Sequence, residues 1–342
     1  MINKKCFASD NCASVHEAVM KKLIEVNIGH ADSYGDDEYS QSVLRRLETL
    51  CGGGKAYFVL SGTGANAACL NAMCPSWGAV ICTDLAHINC DETGAPEHLT
   101  GAKLFALRGD KNNKLTPDIV RPLLSKIGDQ HYSQPTVISI TQCTETGTVY
   151  TVDEVKKLAQ LAHDNRMLLH MDGARLANAI AYLGCSVKEM TSGAGVDALS
   201  FGLSKNGGMI GEAVICFANL PQFLFVRKSC TQLVSKNRYI AAQFDAMLEN
   251  DLWISCAKHA NAMAKRLADG LCALRGVSCP SPTEGNEVFV KLPHDAIEPL
   301  REFMAFHDAD EGVDTVRLVA AFDTTADEVD AFIAKARELI VN

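Results

Sequence analysis

The 342-residue chain has no apolar run long enough to cross a bilayer, no cluster of lysine and arginine, and no C-x-x-C pair. The first absence excludes a membrane span. The second, together with a formal net charge of −9, excludes a nucleic-acid or anionic-membrane partner surface. The third bears on the fourteen cysteines. They are scattered, and Cys69, Cys82 and Cys216 sit in apolar stretches. A disulfide framework belongs to small secreted chains, and zinc needs clustered ligands. The cysteines are therefore expected to be reduced, mostly buried thiols of a cytoplasmic protein that binds no metal. No apolar segment follows Lys4 and Lys5, so no signal peptide is expected. Internal repeats and low-complexity tracts are absent as well.

Two phosphate-loop signatures are also missing. Ser61-Gly62-Thr63-Gly64-Ala65-Asn66 does not have dinucleotide G-x-G-x-x-G spacing, and Gly52-Gly53-Gly54-Lys55 is followed by Ala56 where a P-loop needs Ser or Thr.

What is present is an alternation of short apolar runs and helical patterns. Strands are expected at Ala56–Leu60, Ala79–Cys82, Lys103–Ala106, Thr136–Thr141, Met167–Met171, Ala198–Phe201 and Ala213–Phe217. Their unbroken apolar character fits seven strands of one sheet covered on both faces by helices. Ser14, Ser40, Thr116 and Asp153 are positioned to open helices, Thr116 with Pro117 behind it. Beyond residue 238 a long helix, Tyr239–Leu274, is expected. Strands at Glu287–Leu292 and Thr315–Val319 follow, with helices near 295–306 and 325–340. The chain thus divides into an N-terminal segment (1–30), a large α/β domain (31–238) and a small α+β domain (239–342).

The chemistry-bearing residues stand at strand ends. The run Leu199–Leu203 leads into Ser204-Lys205 and then glycines, which leaves one amine among small residues. Leu168–Met171 ends in Asp172, followed by Gly173-Ala174-Arg175. Either alone could be an ordinary surface lysine or strand-ending Asp. Together, an amine and a carboxylate suit pyridoxal phosphate, the amine forming the Schiff base and the carboxylate pairing with the pyridinium nitrogen. Gly62 and Thr63 open a helix after the first strand, where free N–H groups and the helix dipole favour a phosphate. His87 follows the second strand and could stack on a flat cofactor or move protons. His131 and His170 are further histidine candidates, His170 being structural by its place within a strand. Arg317, among apolar residues, calls for an anion: a substrate carboxylate or a structural partner. Ser9-Asp10-Asn11 and Tyr34-Gly35-Asp36-Asp37 are polar turn formers.

Taken in order, these segments resemble the threonine aldolases of the β-eliminating lyase group, fold type I enzymes that use pyridoxal phosphate. The resemblance rests on Ser9-Asp10, Tyr34–Asp37, Ser61–Asn66, Ala86-His87, Asp172–Arg175, Leu203–Lys205 and Val316–Val319. It implies a transferase-like α/β fold with a seven-stranded, mostly parallel sheet and a smaller C-terminal domain. It also implies roles: Lys205 holds the cofactor, Asp172 pairs with the ring nitrogen, and Gly62 and Thr63 bind the phosphate. His87 stacks on the ring, and Arg175 supports its hydroxyl side. Ser9 and Arg317 grip the substrate carboxylate, and His131 stands near the substrate hydroxyl. Sites formed between subunits would take Tyr34 and the Lys236/Arg238 region from a neighbour in a homodimer or homotetramer. The implied activity is cleavage of L-threonine or L-allo-threonine to glycine and acetaldehyde. Its alternatives are an aryl-serine aldolase, a serine hydroxymethyltransferase-like enzyme or a β-eliminating lyase. The base for the hydroxyl proton is left open among His87, His131 and water. The chain departs from the family pattern at Asn11–Ser14, at Thr141–Gly147 and at Ser235–Arg238.

Overall fold

The computed structural model describes residues 5–309 and 313–341; Lys4 lies outside them. The chain opens with α1 (Glu17–Glu25) and α2 (Glu38–Leu50). It then alternates β1 (Lys55–Val59), α3 (Gly62–Met73), β2 (Gly78–Thr83), α4 (His87–Cys90), α5 (Ala95–Thr100) and β3 (Lys103–Leu107). Next come α6 (Pro117–Val120), β4 (Gln134–Thr141), α7 (Val152–Asp164), β5 (Leu168–Gly173), α8 (Leu176–Leu183), α9 (Val187–Met190), β6 (Ala198–Phe201) and β7 (Glu212–Cys216).

These seven strands form one sheet in the order β1-β7-β6-β5-β4-β2-β3. β7 runs antiparallel to both its neighbours, and all the other pairings are parallel. The continuous apolar runs have the expected consequence: every residue of β2, β6 and β7 is buried. Successive side chains serve opposite faces. Ile81, Ala213 and Ile215 join one core with α2 and α7 side chains, while Val80, Cys82, Val214 and Cys216 join another with α3.

The chain continues through α10 (Phe223–Ser229), α11 (Arg238–Leu248), α12 (Leu252–Cys272), β8 (Glu287–Lys291), α13 (His294–Phe303), β9 (His307–Asp308), β10 (Thr315–Val319) and α14 (Ala326–Val341). A second sheet, β8-β10-β9, is antiparallel and packs on α13, α14 and the end of α12. Trp253, Cys256 and Ala257 of α12 lie in the first core and Ala264, Leu267 and Leu271 in the second, so this helix carries the chain between them. The N-terminal segment is tied to the small sheet: Phe7 N–H donates to Ala305 O at 2.8 Å, and Val319 N–H donates to Phe7 O at 2.8 Å.

Several local expectations are corrected. The first helix is capped by His16, whose Nδ1 accepts from Ala18 N–H, and not by Ser14. Asp37 caps α2, and Ser40 is buried one turn inside it. Thr151, two residues before Asp153, caps α7 in a reciprocal box with Glu154, satisfying two otherwise free N–H groups. The long helix is broken in two because Asn250 and Asp251 take φ of 52° and 53°, a left-handed conformation that short polar side chains tolerate. Two cysteines are not free thiols: Cys272 and Cys279 form a disulfide. Gly276, at φ 83°, helps turn the chain back after α12 and leaves their Cα atoms 6.5 Å apart.

Candidate active site

Parallel strands present their C-terminal ends to one edge of the sheet, where ligands of open α/β sheets bind. There the exits of β1, β2, β4, β5 and β6 surround a cavity of ≈ 530 Å³, a size suited to a small ligand. Its wall includes Gly62 and Thr63 after β1, His87 after β2, Glu145 after β4, Asp172 and Arg175 from β5 onward, and Lys205 after β6. The structure thus brings six of the expected site residues into one space.

Asp172 sits on the central strand, opposite Thr141 of β4 and Ser200 of β6. Its Oδ2 accepts from Asn66 Nδ2 at 2.7 Å, and its Oδ1 accepts from Ala174 N–H at 3.0 Å. The Asn66 amide also donates to Glu92 Oε1 at 2.9 Å, and that oxygen lies 2.8 Å from His87 Nδ1. A single polar chain therefore runs His87–Glu92–Asn66–Asp172. The hydrogen bond to Glu92 is the main reason the His87 pKa is raised, since it favours the imidazolium against burial. His170 is different. It is wedged below the site between Ser139 and Ser200, and burial pushes its pKa down to about 4.

The turn from β1 into α3 is an anion cradle. A Cβ on Gly62 would meet no atom within 4 Å, whereas on Gly64 it would strike Gln232 at 2.0 Å. Gln232 Oε1 accepts from Leu60 and Ser61 N–H groups at 3.2 and 3.3 Å, and Ser61 Oγ caps Gly64 N–H. These contacts set the loop and leave the N–H groups of Gly62 and Thr63 at the helix start. On the other side of Asp172, Lys205 occupies a short turn, Ser204–Asn206. Glu212, whose pKa burial raises, fastens that turn through Ser204 Oγ and the N–H groups of Leu203 and Ser204.

Arg175 lines the cavity but is fully committed. Its Nε and Nη2 donate to Asp10 at 2.8 and 3.1 Å, and Nη1 lies 3.2 Å from Glu287. Burial opposes the charges in this cluster, but the pairing outweighs it, so the Asp10 pKa falls and the Arg175 pKa rises. Ser9 caps the turn Asp10–Cys12 that delivers Asn11 to the cavity wall. Arg317 lies behind it, with Nη2 3.5 Å from Ala8 O and Nη1 3.9 Å from Glu287, and neither Ser9 nor Arg317 lines the cavity.

Two expected residues are elsewhere. His131 is exposed in the loop before β4, whose eight residues separate it from Thr141 at the cavity. It is at the opposite edge of the sheet because the chain has not yet run along the strand. Tyr34 is exposed on the surface at φ 63°, under the Lys228 ammonium. Sequence reasoning assigned no role to Asn66, Glu92, Glu145, Glu212 or Gln232. The available signals were acids next to glycines, threonines or an apolar strand, and a buried-looking amide among the alanines of an apolar helix.

Residues 7–294 match the Beta-eliminating lyase family, and the chain belongs to it. Its sheet order and lobes are those of fold type I. The low specificity L-threonine aldolase of Pseudomonas aeruginosa is 41% identical over 301 residues, 86% of either chain. The enzyme of the same description from a Pseudomonas species is 39% identical over 302 residues, again 86% of both. Among solved structures, the Leishmania major threonine aldolase superposes with a TM-score of 0.91 at 26% identity, covering 98% of this chain and 99% of that one.

Proposed function

We propose that this protein uses pyridoxal 5'-phosphate to cleave L-threonine and L-allo-threonine to glycine and acetaldehyde. The observation that carries the reading is one cavity shared by Lys205, the glycine cradle and the His87-to-Asp172 hydrogen-bond chain. The activity named for the two Pseudomonas relatives supports L-threonine as a substrate.

The residues fit this cofactor. The cradle at Gly62 and Thr63 suits a phosphate, buried Asp172 suits a protonated ring nitrogen, and Lys205 supplies the amine. Bound there, the cofactor provides a sink for the electron pair released at the α-carbon. Asp172 holds the nitrogen's proton, and Asn66 fixes the carboxylate that does so. His87, whose imidazolium the Glu92 hydrogen bond favours, would cover the ring. Arg175, clamped by two carboxylates, would stand on the ring's hydroxyl side. The substrate carboxylate is assigned to Arg317 and Ser9, which would turn toward the cavity they do not line here: the Arg317 Nε is buried without a hydrogen-bond partner, and its contacts of 3.5 and 3.9 Å are loose. His131 enters no step within one chain.

We assign Tyr34, with the Lys236/Arg238 region, to a neighbour's site in a homodimer or homotetramer, and the protein to the cytoplasm. No helix among the described residues is long and apolar enough to cross a membrane. The working division is an N-terminal segment (1–30), a large lobe (31–238) and a small lobe (239–342), with α12 as the strut between the lobes.

The test is an absorbance spectrum of the purified protein with the cofactor, before and after L-threonine, with acetaldehyde assayed in the same sample. Cofactor absorbance that Lys205→Ala abolishes, with acetaldehyde release, is expected. Cofactor absorbance without acetaldehyde from either threonine would overturn the substrate and redirect the assay to other β-substituted amino acids.

A further inference from the structure

Cleavage of a β-hydroxy amino acid needs a group that takes the hydroxyl proton as the Cα–Cβ bond opens. Such a group must line the cavity, keep a free lone pair, and be unprotonated when the substrate arrives. Within one chain, His131 and His170 do not meet this requirement. His131 is at the far edge of the sheet. His170 is closed in between two serines, 2.9 and 3.1 Å from its ring nitrogens. His87 has its Nδ1 on Glu92, a bond that favours the imidazolium. Asp172 and Glu92 are joined by the Asn66 amide.

Glu145 is placed differently. It stands in the Thr144–Gly147 turn after β4, in the Thr141–Gly147 run where the chain departs from the family pattern, and lines the cavity beside His87. Its Oε1 accepts from Thr141 Oγ at 2.6 Å and from His87 N–H at 2.9 Å, and its Oε2 accepts from Asn113 Nδ2 at 3.2 Å. A carboxylate offers about four lone-pair directions, so three bonds hold it in place and leave one for a ligand. In the strand order, β4 lies on the β2 side of Asp172 and β6 on the other. Glu145 and Lys205 thus enter the cavity from opposite sides of Asp172.

We propose that Glu145 is the catalytic residue that accepts the substrate's β-hydroxyl proton. The inference rests on the aldolase reading above. In the step, the O–H bond breaks and its proton goes to Glu145. The O–H electron pair becomes the second C–O bond of acetaldehyde. The Cα–Cβ pair stays with the glycyl fragment, whose α-carbon later takes up one proton, and Glu145 releases its own.

The surroundings suit this task. Glu145 is faced by His87 from α4, Asp172 from β5, Thr141 from β4, Cys82 from β2 and Asn113 from the loop before α6. Burial first, and then the nearby Asp172 charge, bring its pKa up to about 7 against the pull of its hydrogen bonds. A group balanced near neutrality both accepts and returns a proton efficiently.

Three measurements on the cofactor-loaded protein test the assignment with Glu145→Gln and Glu145→Asp. The first is cofactor affinity by fluorescence titration. The second is acetaldehyde formation from L-threonine against pH. The third is exchange of the glycine α-proton in D2O by NMR, which involves no hydroxyl. Glu145→Gln is expected to bind the cofactor and to lower the ratio of cleavage to exchange by about 100-fold or more. It also loses the acidic limb of the kcat profile near pH 7, and Glu145→Asp recovers part of the cleavage. Cleavage by Glu145→Gln within threefold of the parent would overturn the proposal, as would an equal fall in cleavage and exchange, which marks a structural role. A parent protein that exchanges glycine but cleaves neither threonine would remove the aldolase reading, and this assignment with it.

Discussion

At the residue scale, the site depends on pairing buried groups so that each keeps a defined charge. Glu92 is the clearest case: its side chain is wholly enclosed, and it serves His87 and Asn66 with one oxygen. An imidazole whose folded pKa is raised stabilises the fold fully below its unfolded value of about 6.5, and this contribution is lost as the pH rises through the folded value. Glu92→Gln removes the main cause. The His87 titration followed by NMR is expected to move down, and the melting-temperature gap between parent and variant to be widest below about pH 6.5 and to narrow above it. An unmoved His87 titration would mean that Glu92 does not set its charge. His87 itself was readable as a candidate because it follows an apolar strand. Its partner was not, since no pattern marks an acid five residues on.

At the element scale, strand exits place the chemistry, and backbone clearance decides whether they can. Lys205 reaches the cavity because the chain leaving β6 crosses tightly over the Ala174 turn leaving β5. A Cβ on Gly202 would stand 2.5 Å from Ala174 O and 2.7 Å from its Cα, and backbone cannot yield as a flexible side chain does. Gly202→Ala is expected to cost about 1–3 kcal/mol by overpacking, read as a lower urea midpoint. It should also weaken cofactor binding by about tenfold or more in a fluorescence titration. Unchanged binding would show that the crossing can relax without moving Lys205. The strands themselves were legible, since unbroken apolar runs of strand length have few other uses. Helix starts were less so. Ser14 and Ser40 are good caps by type, but neighbouring His16 and Asp37 make the bonds, and the choice among nearby candidates depends on where packing starts the helix.

At the scale of the whole molecule, two sheets with separate cores are joined by α12 and by the N-terminal segment, whose Phe7 pairs with the small sheet and whose Asp10 holds Arg175 of the large one. The Cys272–Cys279 disulfide closes the turn between α12 and the small sheet. Of the fourteen cysteines, twelve are free. Thiol titration in denaturant is therefore expected to give twelve without reductant and fourteen after reduction. Fourteen in both would mean that the pair is reduced in the isolated protein.

The amino-acid order by itself determined the α/β class, the seven strands of the large sheet, and the residues at their ends that suit a cofactor: Lys205, Asp172, Gly62, Thr63 and His87. Each of these announces itself locally, because an apolar strand followed by a polar or glycine turn is a short-range pattern. Tertiary structure alone decided which groups meet. Asn66 and Asp172 are 106 residues apart yet share a hydrogen bond, and Glu145 and His87 are 58 apart. It also decided that Arg175 is committed to Asp10 and Glu287, and that His131 stands at the wrong edge of the sheet. Partnership between distant charges follows from the strand order 1-7-6-5-4-2-3, and adjacency in that order is a property of the folded sheet.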